Sequence, residues 1–204
     1  QYIEGCSVSL LFLAHTKGVE VVGFNEQWVS ESATSPFRYG GAVSNTELSQ
    51  AVQQELILAA EKLTVHFGLR GLNSLDAVIQ DDIAYVLEVN PRLSATVSLY
   101  EGMGLFERHI EAVQNKKITP MTDAKARTSK AEAIVYADAE LTISTTFDWP
   151  DWVNDYPMRQ DFPVTIPINS PICTVYAVAE VAEDAKQLAK YRAKMLLELL
   201  KVNS

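Results

Sequence analysis

Short apolar runs separated by small polar clusters fill the first half of the chain. Val8 to Ala14 and Val19 to Phe24 flank Thr16, Lys17 and Gly18, a pattern that predicts a β-hairpin. Residues 30 to 45 are rich in Ser, Thr, Asn and Gly and contain Pro36, Gly40 and Gly41, so they read as a long loop of the kind that often carries function. Ser44 stands three residues before Glu47 as a capping box, and Leu48, Val52, Leu56, Ala59 and Leu63 then recur at steps of three or four. This predicts a helix ending at Gly68 or Gly71. Leu72 to Ile79 and Ile83 to Val89 enclose Gln80, Asp81 and Asp82 and stop at Asn90 and Pro91, which predicts a second hairpin.

Residues 99 to 115 read as another helix and 116 to 130 as a connecting segment, with a domain boundary near residue 123. Strands are expected at Ala131 to Ala137, Glu140 to Ser144, Val164 to Ile168 and Cys173 to Val181. A final helix follows, with Glu183 and Asp184 early and Lys190, Arg192, Lys194 and Lys201 later, as the helix dipole favours. The order is α+β: mainly antiparallel hairpins with helices packed on them.

Composition narrows the class. With 204 residues, 48% apolar and 21% charged, the chain is long enough for a core and is neither disordered, collagen-like nor coiled coil. A net charge of -9 argues against a broad nucleic-acid surface but permits a local phosphate pocket, which needs only a few basic groups or backbone N–H donors. Cys6 and Cys173 match no metal or redox spacing and read as buried small hydrophobes, which suits a reducing compartment. No apolar run reaches the ~18 residues that span a bilayer, so no membrane partner is expected and the cytoplasm is the default location. The chain opens at Gln1 and moves straight into an apolar stretch, so a fragment or processed chain is expected.

The chemistry concentrates between Gly71 and Ser94. Glu88, Asn90 and Arg92 alternate, so Glu88 and Asn90 share one strand face, while Tyr85, Leu87 and Val89 are expected to enter the core. Asp76 joins that face only if the hairpin parity is right. A three-residue loop at 80 to 82 makes Asp76 a diagonal neighbour of Glu88, whereas a two-residue turn at Asp81 and Asp82 sets Asp76 opposite Leu87 and facing away. An odd-length loop is therefore predicted. Two carboxylates and an amide oxygen are hard ligands suited to Mg²⁺, and Arg92 offers a planar fork of donors to phosphate. The alternative is a surface hairpin with solvated acids.

Asp76 followed by Glu88-Val89-Asn90-Pro91-Arg92, with the two acids twelve residues apart, resembles the metal-binding hairpin of the ATP-grasp superfamily of carboxylate–amine ligases. Gln1-Tyr2-Ile3-Glu4-Gly5 before a Ser-containing strand resembles that family's segment joining its two subdomains. The resemblance covers residues 1 to about 115 and implies the second half of an ATP-grasp catalytic domain over 1–122, with a small C-terminal α+β lobe over 123–204. It also implies that Asp76, Glu88 and Asn90 hold Mg²⁺, or Mn²⁺ in its place, and that Arg92 contacts the transferred phosphate or acylphosphate. Backbone at Tyr2 and Ile3 would meet the adenine of ATP, with Ser7 or Glu4 standing in for the Glu that bonds the ribose in many relatives. Arg38, Gly40 and Gly41, through guanidinium and backbone donors, together with Ser94, would bind the acceptor carboxylate, although a structural turn accounts equally well for residues 38 to 41.

The implied partners are a small carboxylate, an amine and a missing N-terminal ATP-grasp half bearing the Gly-rich phosphate loop; a homodimer is compatible with all of these. The paired Ser of the first strand and Asn25-Glu26-Gln27 lean toward the branch containing tyramine–glutamate ligases of cofactor biosynthesis. Two rivals stay open: a non-catalytic binding or docking module that keeps the hairpin, and a metal-dependent hydrolase that consumes no ATP. His15, His66 and His109 lack paired metal spacing and read as surface or satisfied histidines. Trp149, Trp152, Tyr156 and Phe162, interleaved with Asp148, Asp151, Asp155 and Asp161, read as a packed loop, with a substrate lid as the alternative.

Overall fold

The computed structural model describes residues 3–30, 32, 34–120, 128–157 and 162–202. The chain divides into two compact units, one of Gln1–Gln27 with Val43–Arg127 and the other of Trp28–Ala42 with Thr128–Ser204. The boundary expected near residue 123 lies outside the described residues.

The first unit contains strands β1 (Cys6–His15), β2 (Gly18–Val29, up to Gln27) and, after the end of β3 (Tyr39–Ser44), helix α1 (Gln50–Phe67), β4 (Gly71–Gln80), β5 (Ile83–Asn90) and helix α2 (Leu105–Val113). Its strands run in the order β5, β4, β1, β2, with every neighbouring pair antiparallel. Alternation along β1 sends Val8, Leu10, Phe12 and Ala14 into a core with Val52, Leu56 and Ala60 of α1, and with Leu75 and Ala77 of β4. Residues between them point to the opposite face, against which α2 packs.

Helix α1 bears out the predicted apolar stripe and ends at Gly68, whose φ of 63° is the left-handed cap that glycine favours. Its start is corrected: Ser49, not Ser44, is the cap, and its hydroxyl accepts from Val52 N at 3.2 Å. Ser44 instead ends β3 and is buried. The single helix expected over 99–115 is also corrected. A 3₁₀ turn covers Ala95–Tyr100, and Gly102 and Gly104, at φ of 87° and 62°, break the backbone before α2 begins.

The second unit holds the start of β3, β6 (Ser129–Tyr136), β7 (Leu141–Ile143), β8 (Val153–Asn154), β9 (Val164–Ile166), β10 (Pro171–Ala179) and helix α3 (Ala182–Val202). Strands β3, β6, β10 and β8 follow one another across it, and β7 and β9 form a separate pair. Helix α3 packs on β6 and β10 through Ala185, Ala189, Leu196 and Leu200. Residues 39 to 44 are thus a strand where a loop was expected. Small residues there serve close packing: a Cβ on Gly41, at φ 151°, would lie 2.1 Å from Glu132 O. Phe147 meets Trp149 edge-on and Trp149 stacks on Tyr156, as the packed-loop reading expects, but Phe162 is exposed against that reading; Asp161 lies outside the described residues.

Two further expectations change. Cys6 is exposed, because it opens β1 at its free end, whereas Cys173 is buried in β10 as expected. Tyr85 and Leu87 do not enter the core, since β5 is an edge strand on which both are exposed; Val89 packs against the core as expected, and Ala84 joins it. No helix among the described residues is long and apolar enough to cross a membrane.

Candidate functional site

The hairpin of β4 and β5 closes through a two-residue turn, with Gln80 opposite Ile83. Asp81 and Asp82 have φ of 51° and 62°, the two left-handed residues that a type I′ turn requires. The odd-length loop is therefore overturned, yet Asp76 pairs directly with Glu88. Parity is restored inside the strand: Ala77 pairs with Val86 and Asp76 with Glu88, so Leu87 is an extra, unpaired residue in a β-bulge. Its side chain is exposed, as an inserted residue on an edge strand can be.

Cross-strand register then builds one polar row over four strands. Asn25 on β2 pairs with Ser9 on β1, Ser9 with Asp76 on β4, and Asp76 with Glu88 on β5. Directly opposed residues share a face, so this row lies on the side away from α1. Burial falls along it: Ser9 and Asn25 are fully buried, Asp76 is half-buried and Glu88 is exposed.

Asn90 ties the acidic end together, its Nδ2 donating to Asp76 Oδ2 at 3.0 Å and to Glu88 Oε1 at 3.1 Å. Burial holds the Asp76 carboxyl above its usual range and the neighbouring Glu88 charge adds to this; Ser9, Arg92 and Asn90 pull the other way. Ser9 lies beside Asp76, but neither Ser9 Oγ nor Asp76 Oδ1 meets hydrogen-bond geometry, and both atoms are buried without a partner. The electrostatic influence of Ser9 is therefore one of proximity.

These residues fit a divalent cation. A buried carboxylate oxygen lacks a donor, a second carboxylate repels it from the next strand, and a half-turn of the Asn90 amide presents oxygen in place of nitrogen. Among the described residues no three His, Cys, Asp or Glu side chains gather, so the set is two carboxylates plus an amide.

The polar row continues inward through residues that the sequence reading did not single out as a site. Tyr100 Oη donates to Asn25 Oδ1 at 2.7 Å, and Asn25 Nδ2 donates to Ser9 O at 3.2 Å. Gly23 makes room for the phenol, because a Cβ there would lie 2.0 Å from Tyr100 Oη. A strand-period Ser and Asn among apolar neighbours is the signal in the sequence, but only the register shows that they align with Asp76.

The remaining candidates fall as follows. Arg92 is exposed, donates to Leu93 O at 3.2 Å and lies near enough to lower the Asp76 pKa. Ser94 shares a 2.8 Å hydrogen bond with Thr96. Ile3 is half-buried, Glu4 exposed, and Ser7 sits in β1 opposite Gln27 and Val78; Tyr2 lies outside the described residues. Arg38, Gly40 and Gly41 belong to the second unit. There the Arg38 guanidinium lies 3.7 Å over the Tyr136 ring and donates to Ser30 O, Ser30 Oγ and Asn169 O. His109 is satisfied as expected, its Nδ1 accepting from Leu72 N at 2.9 Å.

Several known proteins are similar to parts of this chain. Residues 1–96 match the family model described as ATP-grasp domain. The carbamoyl phosphate synthase large chain of Pasteurella multocida is 44% identical over 50 residues, which are 24% of this chain and 5% of that protein. The tyramine–L-glutamate ligase of Methanocaldococcus fervens is 27% identical over 127 residues, 61% of this chain and 40% of that one. The chain thus aligns with well under half of the length of either relative. In fold it is similar to an L-amino acid ligase from Bacillus licheniformis, with a TM-score of 0.71 at 14% identity over 94% of this chain and 51% of the other. Residues 1–96, which include β1, β2, α1 and the whole Asp76–Glu88–Asn90 hairpin, are thus the part of the chain that is similar to an ATP-grasp domain.

Proposed function

We propose that the chain carries the metal- and phosphate-binding part of an ATP-dependent ligase that joins a small carboxylate to an amine through an acylphosphate. The observation that carries this reading is the convergence of Asp76, Glu88 and Asn90, with Asp76 Oδ1 buried and unpartnered, inside the ATP-grasp segment. Asp76, Glu88 and Asn90 hold Mg²⁺, or Mn²⁺ in its place, and the bound cation neutralises phosphate charge. Arg92, beside the carboxylates and exposed, takes oxygens of the transferred phosphoryl group through its planar donors. Buried Tyr100 and Asn25 brace the strand behind Ser9 and so fix the acids in place. Backbone at Tyr2 and Ile3 receives the adenine, with Ser7 or Glu4 toward the ribose.

In the first step a carboxylate oxygen attacks the γ-phosphorus, and the bond from that phosphorus to the bridging oxygen of ADP breaks. The amine nitrogen then attacks the acyl carbon, inorganic phosphate leaves, and the nitrogen releases a proton. Such transfers depend mainly on positioning and charge neutralisation, so no nucleophilic side chain is required. The relatives extend far beyond the aligned segments, which supports a second half of the phosphate site supplied by sequence outside these 204 residues. A relative named for tyramine and glutamate makes an amino-acid carboxylate and an arylethylamine the first pair to test.

The test uses the full-length native protein with ATP, Mg²⁺ and a carboxylate labelled with ¹⁸O. Ligation through an acylphosphate moves one ¹⁸O into the released phosphate and forms amide only when amine is present. ATP consumption without ¹⁸O transfer contradicts the acylphosphate, and absence of ATP consumption with any carboxylate and amine pair favours the binding-module reading.

A further inference from the structure

A polar cavity lies in the first unit, at the opposite end of β1 from the acidic row. His15, Lys17, Glu20, Arg108, Lys116 and Lys117 line it, and its volume is about 280 Å³. His15 is six residues beyond Ser9 on β1, roughly 20 Å away at ~3.3 Å per residue. Four cationic side chains face one carboxylate there, on a chain whose net charge is -9.

Arg108 is the built part of the site. Its side chain is 3% exposed, Nε donates to Thr119 O at 2.9 Å and Nη2 pairs with Glu20 Oε2 at 2.5 Å. Nη1 is buried with no hydrogen-bond partner. An unmade bond on a buried charged donor is costly, and a turn of the guanidinium toward an acceptor in the cavity that Arg108 lines would remove that cost. Lys17, Lys116 and Lys117 form no ion pair among the described residues, although Lys116 lies near enough to Glu111 to lower its pKa. The volume is just under the ~300 Å³ at which ordinary small-molecule pockets begin, so the cavity suits one compact anion rather than a nucleotide.

We infer that this cavity binds a phosphate group, as inorganic phosphate or a small phosphomonoester, through Arg108 with Lys17, Lys116 and Lys117. The inference does not rest on the ligase reading, because the site shares no residue with the acidic row. Its test is titration of the complete chain with inorganic phosphate at constant ionic strength, following the backbone amide resonances of Lys17, Asn115 and Lys117. Saturable shifts at these amides are expected. The Lys116→Ala/Lys117→Ala double variant, altered only at exposed side chains, should keep its fold and bind tenfold or more weakly. Glu88→Gln and Arg92→Ala should leave these shifts unchanged, which separates this site from the proposed nucleotide site. A parallel titration with glycerol 3-phosphate identifies the preferred form of the ligand by which of the two binds more tightly. Shifts that fail to saturate, or that the double variant leaves unchanged, overturn the inference.

Discussion

Asp76 combines two conditions that pull against each other: it is a strand residue half removed from water, and one of its oxygens has no donor. Without a cation, Asp76→Asn should therefore raise the thermal midpoint, since it removes a desolvated charge that faces Glu88. The same variant should lose the stabilisation that wild-type protein gains from Mg²⁺ and ATP, which differential scanning calorimetry reads directly. Behind it, Tyr100→Phe leaves Asn25 Oδ1 buried without its donor and should cost about 1–3 kcal/mol in urea unfolding. In the second unit, burial first and the Asp155 charge second push the Cys173 thiol up from 9.0 to about 12. Between these values the folded chain keeps a proton that the unfolded chain loses, so this contribution to stability is present below pH 9 and declines toward pH 12. Urea unfolding at several alkaline pH values should show a shallower decline for Cys173→Ala than for wild type. Tyr100, whose pKa is also raised by burial, acts in the same direction above pH 10.

Among the elements, the β4–β5 hairpin shows most clearly what a sequence pattern conveys and where it stops. Asp76, Glu88, Asn90 and Arg92 could be picked out because residue type and alternation state their chemistry. The parity argument correctly required one extra residue but put it in the turn, while the chain puts it at Leu87. An edge strand tolerates an exposed Leu, so hydrophobicity alone could not reveal the bulge. Deleting Leu87 should yield a regular ladder that still opposes Asp76 and Glu88, and metal binding measured by calorimetry should survive it. Loss of binding in that deletion would mean that the bulge does more than set parity. Helix α1 was legible from its stripe, but its first residue was not, because Ser44 and Ser49 are both plausible caps and only backbone geometry selects Ser49. Ser49→Ala should cost about 1 kcal/mol. Strand β3 was missed for another reason: Gly40 and Gly41 read as loop residues, yet their lack of side chains is what lets neighbouring backbone approach.

At the scale of the whole molecule, the charge of -9 excludes little about a phosphate-bearing substrate, because the relevant charges are local. An acidic row can receive a polyanion only with a cation between them, so nucleotide binding should depend steeply on divalent metal. The fold family could be read from a five-residue motif and its position in the order of elements, and residues 1–96 bear that reading out. Substrate identity could not be read in the same way, since the pair to be joined is recognised by side chains whose types are common and whose grouping depends on the fold. The most direct test of the central claim is a Mn²⁺ titration of the full-length protein with ATP, followed by electron paramagnetic resonance, for wild type and Glu88→Gln. Saturable Mn²⁺ binding that Mg²⁺ displaces, and that Glu88→Gln abolishes while the circular dichroism spectrum stays unchanged, is the predicted result. Equal Mn²⁺ binding by the two proteins would contradict the assignment of Asp76, Glu88 and Asn90 as the metal site.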